Sequence, residues 1–420
     1  MSTLLKVTQE RQDDFLAALN DHCLESVSEE EKKVIIYLLA DFFALVTSKS
    51  KTASESFLDQ LSNSEAASKL AILASQGDMD DVDWHHLHHP GSVILPAVLA
   101  IGLSQKSTAE ELMAGIKIGY RSAAMFSSIM TPDIRKKWHS TSMAGAVGAS
   151  HSIAFLLGLD SAGKYAALSL SCANLGGLSM AGLERNGAAQ FNRAAATSLG
   201  VIAAQSAKMG VPFLPGAYSK LLEAWEFVPG VSSTSSRPDC PGMGLGTASL
   251  RLLPFSGYTQ AAIHGCQRLL ESSGNIARLN IAVAQSTYRL TVAAQTSANW
   301  VDQLWWDLPK SIEYLISGKY AFQRDRAPVT ENSGIALTFE ARDELPTQSA
   351  VIEVGDHAGH VVESEFQAPG SLPLNSQDRE LWERKCTDWL RVSPDEAFEK
   401  AVAITSRGLA SFNLRELLDG

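Results

Sequence analysis

The chain has 420 residues, 45% hydrophobic and 19% charged, and a formal net charge of −11. Such a length is expected to fold as two or three units around sizeable cores, and the apolar content excludes disorder. An excess of 46 Asp+Glu over 35 Lys+Arg argues against nucleic acid as a partner, and the lack of a run of about 18 apolar residues argues against a membrane span.

In chain order, Ser28–Val46 predicts the first core helix. Ser28 stands as N-cap, Glu29, Glu30 and Glu31 fill the first turn, and Val34, Ile35, Leu38, Leu39, Phe42 and Leu45 recur at helical spacing. Ser107 with Glu110 reads as a capping box opening a helix over Ala109–Ile129, and Asp160 as the cap of Ala162–Leu175. Between them Thr141–Gly158 is rich in Ala, Gly and Ser, which lets helix backbones approach closely. The pattern stays helical to about Leu222. Pro229–Gly246, with the run Ser232–Ser236, breaks the period and marks a boundary. Beyond it Tyr258–Ser273 reads as a helix, while Leu279, Ile281 and Val283 alternate as in a half-buried strand. Ile335–Phe339 reads as a second strand. Val351–Val354 and Val361–Phe366, joined by Gly355-Asp356-His357-Ala358-Gly359, read as a hairpin, so the second unit is α+β. Ser376–Leu390 and Pro394–Leu418 return to helical spacing behind Ser376 and Ser393.

Cys23, Cys172, Cys240, Cys266 and Cys386 stand far apart, make no C-x-x-C pair and follow no secretory signal, so a reducing cytoplasm is the expected setting. Gly242-Met243-Gly244-Leu245-Gly246 lacks the preceding strand and the following GK[ST] of a phosphate loop.

The densest polar stretch is Asp78-Met79-Asp80-Asp81-Val82-Asp83-Trp84-His85-His86-Leu87-His88-His89-Pro90-Gly91. Imidazoles exchange protons near neutrality and carboxylates orient them or act as bases, so the stretch reads as an acid–base centre. A plainer reading is a charged helix end whose histidines bond backbone carbonyls. A third is a metal site on His85 and His89, four apart. That spacing lacks the intervening glutamate of the zinc-protease helix, and Pro90 would end a helix at the second ligand. A second signal is Trp138-His139-Ser140-Thr141-Ser142, where Ser140 or Thr141 caps the small-residue helix and its N-terminus faces whatever His139 faces, a setting that favours anions.

Taken together, Asp78-Met79-Asp80-Asp81, His89-Pro90-Gly91-Ser92-Val93-Ile94-Leu95-Pro96-Ala97 and Trp138-His139-Ser140-Thr141-Ser142 resemble the MmgE/PrpD family, which includes 2-methylcitrate dehydratase, cis-aconitate decarboxylase and iminodisuccinate epimerase. The likeness continues through Arg251-Leu252-Leu253-Pro254-Phe255, Thr259-Gln260-Ala261-Ala262-Ile263, Pro309–Ile316 and Pro369-Gly370. The resemblance implies a mainly α fold: a large all-helical domain built from both chain ends, residues 1–248 and 388–420, and a smaller α+β lid domain, residues 249–387. It also implies chemistry without metal or organic cofactor on a small carboxylic acid, at a cleft between the domains, usually in a homodimer.

Carried over onto this sequence, the resemblance implies Asp78, His89, His139 and Tyr314 as catalytic residues, with Asp80, Asp81 or Asp83 as alternatives to Asp78. Arg251, Ser142, Asp81, His85, Gln190 and Asn192 are the candidate substrate-binding residues. Departures from the family pattern bear on the substrate. Ala189, Gln190 and Asn192 stand where relatives carry a lysine and a histidine, Arg251 replaces a lysine, and Gln260 replaces a histidine. Arg185 and Arg193 are nearby candidates to restore the missing charge. Arg251 keeps a charge and gains a bidentate fork while losing any role as proton donor. The expected function is a cofactor-independent, dehydratase-like lyase acting on a small hydroxylated carboxylic acid by His/Asp proton abstraction. The alternatives are an epimerase or isomerase sharing that first step, and a non-catalytic member that binds a small acid or a partner.

Overall fold

The computed structural model describes residues 26–50, 62–179, 187–213, 217–226, 243–272, 276–293, 307–316, 334–413 and 416. The Ser232–Ser236 run, Arg185, Cys23 and Cys240 lie outside the described residues. In chain order the helices of seven residues or more among the described residues are α1 Glu29–Ser50, α2 Asn63–Ser75, α3 Gly91–Gln105, α4 Ala109–Ser128, α5 Ser140–Leu156, α6 Ser161–Cys172, α7 Ala188–Lys208, α8 Ala217–Glu226, α9 Gln260–Ser272, α10 Gln285–Thr291, α11 Leu308–Ile316, α12 Ser376–Arg384 and α13 Pro394–Arg407. The strands of the four-stranded sheet are β1 Ile276–Ala284, β2 Ala336–Arg342, β3 Ser349–Asp356 and β4 Val361–Gln367, and the two-residue strands Val82–Asp83 and Ala248–Ser249 pair separately. The fold is thus mainly helical. Among the described residues no helix is long and apolar enough to cross a membrane.

Two compact units divide the chain: Met1–Gln76 with Asp80–Ala248 and Val392–Gly420, and Gly77–Met79 with Ser249–Arg391. The first is a helical bundle around α3, in which Gly91 to Gly102 are all buried. α1 begins at Ser28, whose N–H donates to Glu31 Oε2 at 2.8 Å while Glu31 N–H donates to Ser28 Oγ at 3.2 Å. The box that opens α4 is Thr108 with Glu111, one residue beyond the expected Ser107 and Glu110. Ser107 is committed elsewhere, because its N–H closes the end of α3 on Gly102 O at 2.9 Å and its carbonyl accepts Leu409 N–H at 2.8 Å.

Small residues set the helix crossings. A Cβ on Gly148 of α5 would stand 2.6 Å from the Gly119 carbonyl of α4, and one on Gly145 would stand 2.8 Å from Val93 of α3. At Gly148 backbone meets backbone, and at Gly145 the Val93 side chain fills the space a Cβ would take. α13 packs on α1 and α4 and ends at Arg407, with Gly408 at φ 73, short of the expected Leu418.

In the second unit the strand order is β2-β1-β3-β4, with β1 parallel to β2 and antiparallel to β3, and β3 antiparallel to β4. Ile281 stands opposite Phe339 on one side and Ile352 on the other. α9 lies across β3 and β4 at Gly265, where a Cβ would meet Ile352 and Phe366 at 2.6 Å. Asn375, rather than Ser376, caps α12, and the helix widens into π-helical turns over Lys385–Leu390. Gln260, which stands where the family pattern has a histidine, is wholly buried. Its Nε2 donates to Leu253 O and Phe255 O at 2.8 Å and its Oε1 accepts Leu253 N–H at 3.1 Å, so it closes the turn that follows Arg251.

Candidate active site

The segment leading into α3 is organised by one carboxylate. Asp81 Oδ1 accepts Gly91 N–H at 2.9 Å, Oδ2 accepts the Tyr120 hydroxyl at 2.8 Å, and its backbone carbonyl accepts His89 Nδ1–H at 2.7 Å. The proton on His89 is thereby placed on Nδ1, which makes Nε2 the basic nitrogen of that ring. Gly91 is required here because a Cβ would run into Asp81 Oδ1 and stand 2.7 Å from the Tyr120 hydroxyl. Burial, and then the neighbouring charge of Asp80 and more weakly that of Asp41, push the Asp81 carboxyl up to about 7.

Asp41 of α1, Asp80 and Asp81 line a small cavity with Leu38, Ser92 and Leu95. Its volume of about 10 Å³ for the centre of a water molecule is room for roughly one water. Arg193 of α7 turns inward: it is 2% exposed and its Nη2 lies 3.5 Å from Asp80 Oδ2. The buried positive charge in this region therefore comes from the residue immediately after Asn192, with Gln190 and Asn192 themselves neutral.

His139 is the N-cap residue of α5 but its side chain makes no capping bond. Ser140 and Thr141, the expected caps, lie inside the helix. The Ser140 hydroxyl donates to Leu87 O at 2.6 Å, and Thr141 Oγ1 accepts His89 N–H at 3.1 Å. The His89 backbone is thus tied to the first turn of the helix that His139 begins. His139 Nδ1 is sealed from solvent without a hydrogen-bond partner. Burial drives the His139 pKa down to about 3, the Arg193 charge adds to that, and Asp80 opposes it. The ring is a neutral imidazole at pH 7. The Ser142 hydroxyl shares its one proton between Gly176 O at 2.8 Å and His139 O at 3.0 Å, holding the Gly176-Gly177 turn against α5. Asn192 Nδ2 reaches Leu178 O at 3.3 Å, and Gln190 sits half-buried in the first turn of α7.

The first unit thus brings Asp81, His89, His139, Ser142, Gln190 and Asn192 onto the ends of α3, α5 and α7. His85 is exposed, and residues 85 to 89 precede the start of α3, so His85 and His89 do not share a helical face and the i, i+4 metal reading fails. Asp78 belongs to the short stretch Gly77–Met79 grouped with the second unit, where it is half-buried at φ 51. In the second unit Tyr314 lies on α11 and is 8% exposed, with burial raising its pKa above the ordinary 10.0, while Arg251 is 3% exposed.

Reading from the sequence missed Asp41 and Tyr120. Nothing local marks them, since each sits in the periodic pattern of a core helix and acquires its role from the loop that folds against it. The inward turn of Arg193 has a faint signal, a lone cation among the small residues Ala194-Ala195-Ala196.

Residues 37–233, just under half of the chain, match the MmgE/PrpD N-terminal domain. No curated protein matches the chain.

Proposed function

The chain belongs to the MmgE/PrpD family, and from that premise we propose that it is a dehydratase-like lyase that removes a proton and a hydroxyl from a small hydroxylated carboxylic acid, using its own side chains and no cofactor. The observation that carries the reading is the pair of imidazoles at the start of α5. One is fixed in its tautomer by the Asp81 carbonyl, and the other is neutral, with its Nδ1 sealed away from water.

Abstraction of a proton from carbon beside a carboxylate builds negative charge on the carboxylate oxygens. The helix N-terminus and the buried guanidinium of Arg193 favour that charge, and Arg251 is the proposed bidentate clamp for a substrate carboxylate. His139 is unprotonated at pH 7 and so is free to accept a proton but not to donate one, which assigns it the base by position, and His89 Nε2 is the second nitrogen able to take or return a proton. Tyr314 keeps its proton at neutral pH and suits the donor to the leaving hydroxyl. In that sequence the base takes the carbon-bound proton, the C–O bond breaks, water leaves and a carbon–carbon double bond remains.

An epimerase is the second reading. Gln190 and Asn192 are neutral, and the charge of Arg193 is partly met by Asp80, which leaves less assistance for an expelled hydroxide. Incubating the full chain with a panel of hydroxy and amino dicarboxylic acids in deuterium oxide separates the readings by NMR. An unsaturated product supports the lyase, deuterium at the α carbon with inversion supports the epimerase, and neither in any acid overturns both in favour of a binding role.

A further inference from the structure

The loop before His89 gathers a separate set of donors. Asp83, His86 and His88 are all buried, and one donor atom from each lies within 4.8 Å of the other two. Asp83 Oδ2 is 2.7 Å from His86 Nδ1 and 3.7 Å from His88 Nε2. A tetrahedral ion with bonds of ~2.1 Å spaces its ligands about 3.4 Å apart. The Asp83–His86 edge is shorter than that, because a hydrogen bond now closes it, and a metal that displaces the proton would open it.

A second observation points to a ligand. His88 has a side chain of 0% exposure, yet neither of its ring nitrogens has a hydrogen-bond partner. Buried polar groups are nearly always bonded, and a wholly buried imidazole with neither nitrogen bonded has no hydrogen bond to offset its desolvation.

The surroundings are built to hold the trio in place. Asp83 also accepts His86 N–H at 3.0 Å on Oδ1 and the Thr247 hydroxyl at 2.6 Å on Oδ2. The loop is closed on itself by Asp83 N–H to His88 O at 2.9 Å and His88 N–H to Asp83 O at 3.4 Å. Ser127 Oγ and the Arg135 guanidinium both donate to the His86 carbonyl. His85 and Leu87 on the outer side of the loop are exposed, which gives an ion a short path in. Arg135 opposes a cation there, so binding depends on the ligand bonds themselves.

We propose that Asp83, His86 and His88 bind one zinc-class divalent ion, completed by water, which cross-links the 83–88 loop immediately before His89. Two imidazoles and one carboxylate suit zinc, cobalt or nickel rather than calcium or magnesium. The proposal stands on residues other than the imidazole pair of the reaction, so its failure leaves the functional reading untouched.

The test is a titration of the full chain, stripped with a chelator, by Co(II) followed in the visible region and then by Zn(II) in competition. One equivalent of Co(II) is expected to give d–d bands that one equivalent of Zn(II) abolishes. His88→Gln and His86→Ala are each expected to weaken binding at least about 100-fold, and His139→Ala to leave it within about threefold. The absence of a one-equivalent transition in the unmodified chain overturns the site whether or not the variants fold, and so does wild-type binding by folded His88→Gln.

Discussion

Thr141 Oγ1 accepts the backbone N–H of His89 at 3.1 Å, and that bond ties together two segments 52 residues apart in sequence. The imidazoles of His89 and His139 are thus carried by the same small piece of scaffold.

His139→Ala and His89→Gln are each expected to lower turnover at least about a hundredfold, the low end of the range for losing a general acid or base. The His139 side chain makes no capping bond, so its removal costs α5 no helix cap. A rate close to wild type in either folded variant would remove that residue from the mechanism.

Gly91→Ala should cost about 2–4 kcal/mol, as an added methyl must displace either Asp81 or Tyr120, both buried and bonded to each other. Urea unfolding of the purified variant measures this; a loss under about 0.5 kcal/mol would mean that the loop yields easily.

Arg193→Met leaves Asp80 buried beside fewer positive charges, and breaking such a pair typically costs about 3–5 kcal/mol. Arg193→Met with Asp80→Asn should recover most of the loss. A double variant no more stable than Arg193→Met would show that the two side chains are not energetically coupled.

His151 supplies a pH dependence. It lies at 0% exposure on α5 with Nδ1 2.8 Å from Ser122 Oγ, and burial drives its pKa from 6.5 to about 3. Above pH 6.5 neither the folded nor the unfolded chain protonates this group, so its contribution is constant. As the pH falls from 6.5 toward 3 the unfolded chain takes up a proton that the fold refuses, and stability drops by about 1.4 kcal/mol per pH unit. Urea midpoints at pH 7, 6 and 5 should decline more steeply for wild type than for His151→Asn; parallel declines would contradict the assignment.

Gln260→Leu should destabilise by about 2–3 kcal/mol, because three backbone groups of the Leu253–Phe255 turn lose their partner in a buried setting. Differential scanning calorimetry reads the effect, and a neutral result would mean that water takes over those bonds.

The regular elements were largely legible because their signals are local. The alternation Leu279, Ile281, Val283 became β1, and the Gly355–Gly359 turn joins β3 to β4, with each strand running a residue or more past its apolar centre. Helix starts were legible to within a residue where two polar residues compete, as Ser107 and Thr108 do. The competition was decided by the preceding helix, whose last carbonyls Ser107 completes. The surroundings of the candidate site were less legible. That Asp81 would draw in Tyr120 and the His89 ring, or that Asp41 would share a cavity with two further acids, depends on contacts between segments far apart in sequence. The inward face of Arg193 likewise depends on what α7 packs against. The trio of Asp83, His86 and His88 was hidden inside a histidine-rich run in which His85 and His89 caught the eye by their spacing.

Where α4 crosses α5, Gly119 and Gly148 leave no side chain between the two rods. A methyl group at either glycine would lever α5 outward and carry its first turn, with His139 and Thr141, out of register with His89. The spacing between the two segments that bear these rings is therefore set by a pair of residues with no side chain at all.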